Sequence, residues 1–127
     1  MKLKYTLTTQ LENSDILNNS VETDWVDYQE NIEEEFININ FVDQNKMACD
    51  LKISKKEIFI AYANQKLHLI LNQRKANKLY LDAEKFISLD FFLLDIKINS
   101  EEISFKYDIL QNDNIITHNI AKMIIKK

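Results

Sequence analysis

A period of two runs through most of this chain, and no other periodicity competes with it. In MACDLKI, residues 47–53, Met47, Cys49, Leu51 and Ile53 fall on one side and Ala48, Asp50 and Lys52 on the other. In KLHLILN, 66–72, Leu67, Leu69 and Leu71 oppose His68 and Ile70. In FLLDIKI, 92–98, Phe92, Leu94, Ile96 and Ile98 oppose Leu93, Asp95 and Lys97, and EISFKYDI, 102–109, alternates likewise. Successive side chains of a strand point to opposite faces, so strict alternation marks half-buried strands.

Further strands are predicted at 2–9 (Leu3, Tyr5 and Leu7 on one face), 21–29, 35–43, 57–63, 78–82 and 115–125. Short polar clusters at 43–46, 54–57, 63–66, 99–102 and 111–114 separate them, as expected for antiparallel hairpins. The stretch ENSDILNNS, 12–20, reads as the longest loop. One helical turn is expected within LDAEKF, 81–86, capped by Asp82. Such strands must hide their apolar faces in a barrel or a sandwich, and sequential hairpins without a long crossover favour the barrel. The expected fold is therefore all-β, an antiparallel up-and-down β-barrel of about 8–10 strands. With 127 residues, the chain fits a single domain, 1–127, able to bury one core without disulfides.

The chain has no glycine and no proline, where average usage would supply about nine and six. Walker loops, Rossmann fingerprints, nucleophile elbows and EF-hand loops all need glycine, so all four are excluded in their standard forms. Turn positions with positive φ are expected to fall to Asn or Asp, the next most tolerant residues. Asn112, Asp113 and Asn114 in LQNDNIITH, 110–118, then read as a tight hairpin turn rather than a metal loop. The 18 Ile against 3 Val and 15 Lys against 1 Arg, with 14 Asn, resemble the residue usage of an AT-rich, low-GC bacterial genome.

The net charge of -4 and the lone Arg74 argue against a nucleic-acid partner, which calls for a basic stripe rich in arginine. No apolar run approaches the ~20 residues that span a bilayer, so no membrane partner is expected. The opening MKLKYTLTTQ lacks a signal peptide's apolar core and cleavage pattern, and one cysteine forms no internal disulfide; a cytoplasmic location is expected.

Candidate sites are few. Cys49, His68 and His118 each stand alone without zinc-ligand spacing, so neither metal nor cofactor is expected. Cys49 shares the face of Leu51 and Ile53 and reads as a buried, inert thiol. In ETDWVDYQENIEEE, 22–35, Asp24, Asp27 and Glu30 flank Trp25 and Tyr28. That cluster reads as a solvated strand face with a charged turn, or as a carboxylate-dependent hydrolase site.

Taken in order, DYQEN at 27–31, the LKIS…IFIAY hairpin at 51–62, LYLDAEKFISLDFFLLDIKI at 79–98 and ISFKYDILQNDNIITHNIAKMIIK at 103–126 resemble the YwiB-like family of small bacterial β-barrels. That family stands near the lipocalin-like calycins. The resemblance covers roughly residues 20–126, implies an eight-to-ten-stranded barrel, and implies no particular activity.

Small barrels are packed solid or hold one small ligand. The inward set is expected to include Leu67, Leu69, Leu71, Phe92, Leu94, Phe105 and Tyr107, with hydroxyls from Tyr107, Tyr62 or Tyr80. The candidate lumen site is Tyr62, Leu67, Leu69, Phe92, Phe105 and Tyr107, suited to a small apolar ligand. The alternative is a non-catalytic interaction or structural module. IFIAY at 58–62 and FISLDFF at 86–92 look apolar on both faces and could bury an outer face in a homodimer.

Overall fold

The computed structural model describes residues 1–11 and 18–126. Among them are eleven strands and no helix. These are β1 (Lys2–Leu11), β2 (Asn18–Glu22), β3 (Val26–Glu33), β4 (Phe36–Val42), β5 (Ala48–Ile53), β6 (Glu57–Tyr62), β7 (Gln65–Ile70), β8 (Arg74–Tyr80), β9 (Phe86–Ile98), β10 (Glu102–Gln111) and β11 (Asn114–Lys126). All ladders between these strands are antiparallel, in the order β7-β6-β5-β4-β3-β1-β11-β10-β9-β8. The sheet curls into a nearly closed up-and-down barrel, as the alternation predicts.

β1 organises the closure. One edge pairs with β11 along its full length, from Lys2↔Lys126 to Leu11↔Thr117. The other edge takes β3 at Lys2 and Leu3, and β2 from Thr6 to Gln10. β2 and β3 are thus two halves of one interrupted strand. At the break, the Thr23 N–H donates to the Tyr5 carbonyl (2.8 Å), and the Tyr5 N–H donates to Thr23 Oγ1 (2.9 Å). Of the expected loop 12–20, residues 12–17 lie outside the described residues, and 18–20 belong to β2.

The remaining seam lies between β7 and β8, which share no continuous ladder. Side-chain amides stand in for it. Asn77 Oδ1 accepts from the His68 N–H and its Nδ2 donates to the His68 carbonyl, both at 2.9 Å. Gln65 does the same for Tyr80, with Oε1 at 2.9 Å from the N–H and Nε2 at 2.7 Å from the carbonyl. A carboxamide offers one acceptor and paired donors in a plane, so it satisfies a peptide group as a neighbouring strand would.

The inward faces form one apolar core. Leu3, Ile39, Leu51, Ile53, Ile58, Leu69, Leu93, Ile103, Phe105 and Met123 are fully buried. They meet across ladders, as in Leu3↔Ile125, Ile39↔Leu51 and Ile58↔Leu69.

Three expectations need correction. The first is the phase of β9. Phe91 and Leu93 are buried, while Phe92 is half-buried on the opposite face and Leu94 is exposed. The register gives the cause: Lys106 faces Asp95, the next residue Tyr107 faces Leu93, and Leu94 is left over as a bulge. One extra residue shifts the alternation, so Phe91 and Leu93 point inward before the bulge while Ile96 and Ile98 do so after it. The second is the helical turn at 81–86, which is a hairpin connection. Asp82 Oδ1 accepts from the Glu84 and Lys85 N–H groups, both at 2.8 Å, and the Leu81 N–H donates to the Lys85 carbonyl across the loop. The third concerns positive φ. Asn72 and Asn112 adopt it as expected, but so do Glu34, Lys46 and Ala63.

Candidate functional site

Cross-strand register divides the lumen into a solid half and an open half. Where Leu3, Ile53, Ile58, Leu69 and Ile103 converge, the interior is filled. Two residues further along β1, Tyr5 and Leu7 face a different neighbourhood. Thr23, Cys49 and the turn after β4 replace large aliphatic side chains there, and a cavity of about 270 Å³ remains. Tyr5, Leu7, Phe41, Ile60, Leu67 and Leu79 form its apolar wall. Its polar fittings include Tyr62, Tyr107, Cys49, Thr23, Gln65 and Asp43, with Glu22 at the exposed edge.

Asp43 anchors one side. Its Oδ1 accepts from the Asn45 and Met47 N–H groups, each at 2.9 Å, which shapes the β4–β5 turn. Its Oδ2 accepts from the Tyr62 hydroxyl at 2.7 Å. Burial pushes the carboxyl's pKa up, but the Met47 N–H, the Tyr62 hydroxyl and the Asn45 N–H outweigh it and hold Asp43 below the usual carboxylate value. The same bond, then burial, pushes the Tyr62 phenol up to about 12. Burial likewise pushes Tyr107 to about 12. Tyr5 rises well beyond its ordinary value, through burial first and then the closeness of Tyr107, Cys49 and Tyr62. Burial, with the charges of Asp50 and Asp43, lifts the Cys49 thiol to about 12. The phenols are therefore neutral donors near neutral pH, and the thiol is a poor nucleophile.

Of the six residues expected at the lumen, Tyr62, Leu67 and Tyr107 line the cavity. Leu69 and Phe105 belong to the packed core, and Phe92 faces away for the reason given above. Tyr80 does not line the cavity; it is exposed and packs against Phe86 at 5.7 Å between ring centroids. Sequence reading missed Asp43, which looked like turn chemistry, and Tyr5, whose shared face with Leu3 and Leu7 was the available signal.

The other candidates are held apart. Asp27 pairs with Lys2 at 3.1 Å, the Asp24 N–H donates to Gln44 Oε1 at 3.3 Å, and Glu30 lies beside the buried Tyr28. The ammonium groups of Lys4 and Lys126 lie over the Trp25 ring, at 5.9 and 5.8 Å from its centroid. His68 stacks on Phe59 (4.2 Å) and meets Glu57 at 3.2 Å, while His118 Nδ1 lies 2.7 Å from Asp108. At the turn in LQNDNIITH, the Arg74 guanidinium binds Asp113 and the Asn112 carbonyl, and reaches back to Asp90. The carboxylate of that loop is thus taken up by a guanidinium. No helix among the described residues is long and apolar enough to cross a membrane.

No family model matches the chain, and no curated protein matches it. Among solved structures, the fold is similar to the crystal structure of ywiB protein from Bacillus subtilis. The two superpose with a TM-score of 0.67 at 12% sequence identity, over 99% of this chain and 92% of that one. At that identity the likeness is one of fold.

Proposed function

We propose that this protein is a non-enzymatic, lipocalin-like barrel of the YwiB kind that binds one small apolar molecule in the open half of its lumen. A single observation carries the reading: a cavity of about 270 Å³, walled mainly by apolar side chains, persists inside an otherwise packed barrel. Larger side chains at several wall positions would have filled it, and leaving such a space forfeits packing contacts. Its volume lies near the small end of the range that ligand pockets occupy. Native mass spectrometry of protein purified from cells, with organic extraction of any adduct, tests the reading. An adduct lost in Leu67→Trp, which fills the cavity, is the expected result. Bare polypeptide mass, together with no response to added apolar probes, overturns it.

A second reading, partner binding through an outer face, is favoured by the row of exposed Phe59 between half-buried Phe36 and His68. Ring centroids lie 6.0 and 4.2 Å apart along it. Sedimentation as a homodimer, lost in Phe59→Ser, supports that reading; a monomer with no captured partner counts against it.

A further inference from the structure

The wall of the cavity is chemically one-sided. It includes no lysine, arginine or histidine; its carboxylate is that of Asp43, while Glu22 lies at the exposed edge. Glu22 is paired with Lys4 at 2.6 Å, whereas Asp43 has no cationic partner among the described residues. Asp43 satisfies its oxygens with two backbone N–H groups and a phenol, so its negative charge is stabilised but not cancelled.

Against that charge stand two donors without work. The hydroxyls of Tyr5 and Tyr107 face the cavity from β1 and β10, and among the described residues neither makes a protein hydrogen bond. Tyr107 is buried and Tyr5 is half-buried. Each hydroxyl is open to the cavity, so a ligand acceptor placed between them gives both donors one fixed partner in place of water. Gln65, on the same wall, has its amide committed to Tyr80.

We infer that the cavity selects a neutral molecule whose apolar body carries a hydrogen-bond acceptor, such as an ester, ketone or ether, and rejects anionic amphiphiles such as fatty acids. The inference rests on the lumen-binding reading and specifies the class of molecule. An acceptor oxygen sits between the Tyr5 and Tyr107 hydroxyls, and its apolar body packs on Leu7, Ile60, Leu67 and Leu79. A carboxylate entering the same space gives up its water, finds no cation, and meets the Asp43 charge in a low-dielectric enclosure, where repulsion is weakly screened.

A matched pair of probes separates the inference from its premise. Methyl octanoate and octanoate share an apolar tail and differ in the charge of the head. Calorimetric titration of the intact protein at about pH 7.5, where octanoate is ionised, is expected to give at least tenfold tighter binding for the ester. Tyr5→Phe and Tyr107→Phe each remove one donor with little change of shape, and each is expected to weaken the ester about tenfold. Asp43→Asn, which keeps an Oδ1 acceptor for the Asn45 and Met47 N–H groups, is expected to narrow the gap by strengthening octanoate. If octanoate binds as tightly as the ester, the inference fails while lumen binding stands. If neither probe binds folded protein, the lumen reading and the inference fall together. Ester binding unchanged in both Phe variants overturns the role given to the two hydroxyls.

Discussion

Glu34, Lys46 and Ala63 hold φ angles of 55°, 64° and 54° without the freedom that glycine provides. Each Cβ crowds the neighbouring carbonyl, at a cost of roughly 1–2 kcal/mol. Ala63 is the cleanest test, because its methyl group does nothing else in the β6–β7 turn. Ala63→Gly is expected to raise stability by about 0.5–1 kcal/mol, with part of the relieved strain lost to the greater freedom of the unfolded chain. Urea unfolding with an unchanged slope checks it; a destabilised variant contradicts it. Asp43 and Tyr62 predict a pH profile. The folded-state pKa of Asp43 is depressed, so its contribution is present above the unfolded value of 3.8 and fades as pH falls below it. The Tyr62 pKa is raised from 10.0 to about 12, so its contribution is complete below 10.0 and is lost as pH climbs towards 12. Tyr62→Phe is expected to cost about 1 kcal/mol near neutrality, the ring being part-exposed, and to flatten both flanks. Thermal unfolding across pH reads this, and a wild-type profile retained in Tyr62→Phe contradicts it.

At the scale of elements, the β7–β8 seam is the weakest join in the barrel. Two carboxamides, Asn77 and Gln65, replace a ladder there. Asn77 is buried and serves both backbone groups of His68, so Asn77→Ala leaves a donor and an acceptor without partners. The expected loss is about 2–3 kcal/mol. Gln65→Ala is expected to cost less, because its bonds to Tyr80 are exposed. Hydrogen exchange should show the amides of His68 and Tyr80 opening ahead of the β10–β11 ladder. Equal protection of both regions contradicts the seam's weakness. β9 shows the limits of pattern reading on the same scale. FFLL offers apolar residues to both faces, so composition cannot say which pair turns inward. The bulge at Leu94 decides it through pairing with β10.

For the whole molecule, the barrel depends on a pairing between the first and last strands. Leu3 is fully buried opposite Ile125, where that ladder meets the solid half of the core. Leu3→Ala is expected to cost about 2–5 kcal/mol and to lower the whole unfolding transition rather than fray one end. Separate transitions for β1 and for β4–β7 would argue against that cooperativity. Alternation, together with polar clusters at hairpin spacing, was enough to specify antiparallel strands in sequential order, because the strand period is a local property of the backbone. It also specified a buried Cys49 and an inward Leu67 and Tyr107. The strand boundaries at 81–86, the phase of Phe92 and the backbone of Ala63 were not legible, because register and curvature are set by neighbours distant in sequence. The cavity belongs wholly to that second class. Tyr5, Asp43, Tyr62 and Tyr107 are scattered along the chain, and only closure of the sheet brings them to one wall. Whether a barrel's interior is full or open depends on the summed volumes of side chains from facing strands, a quantity that no single segment contains.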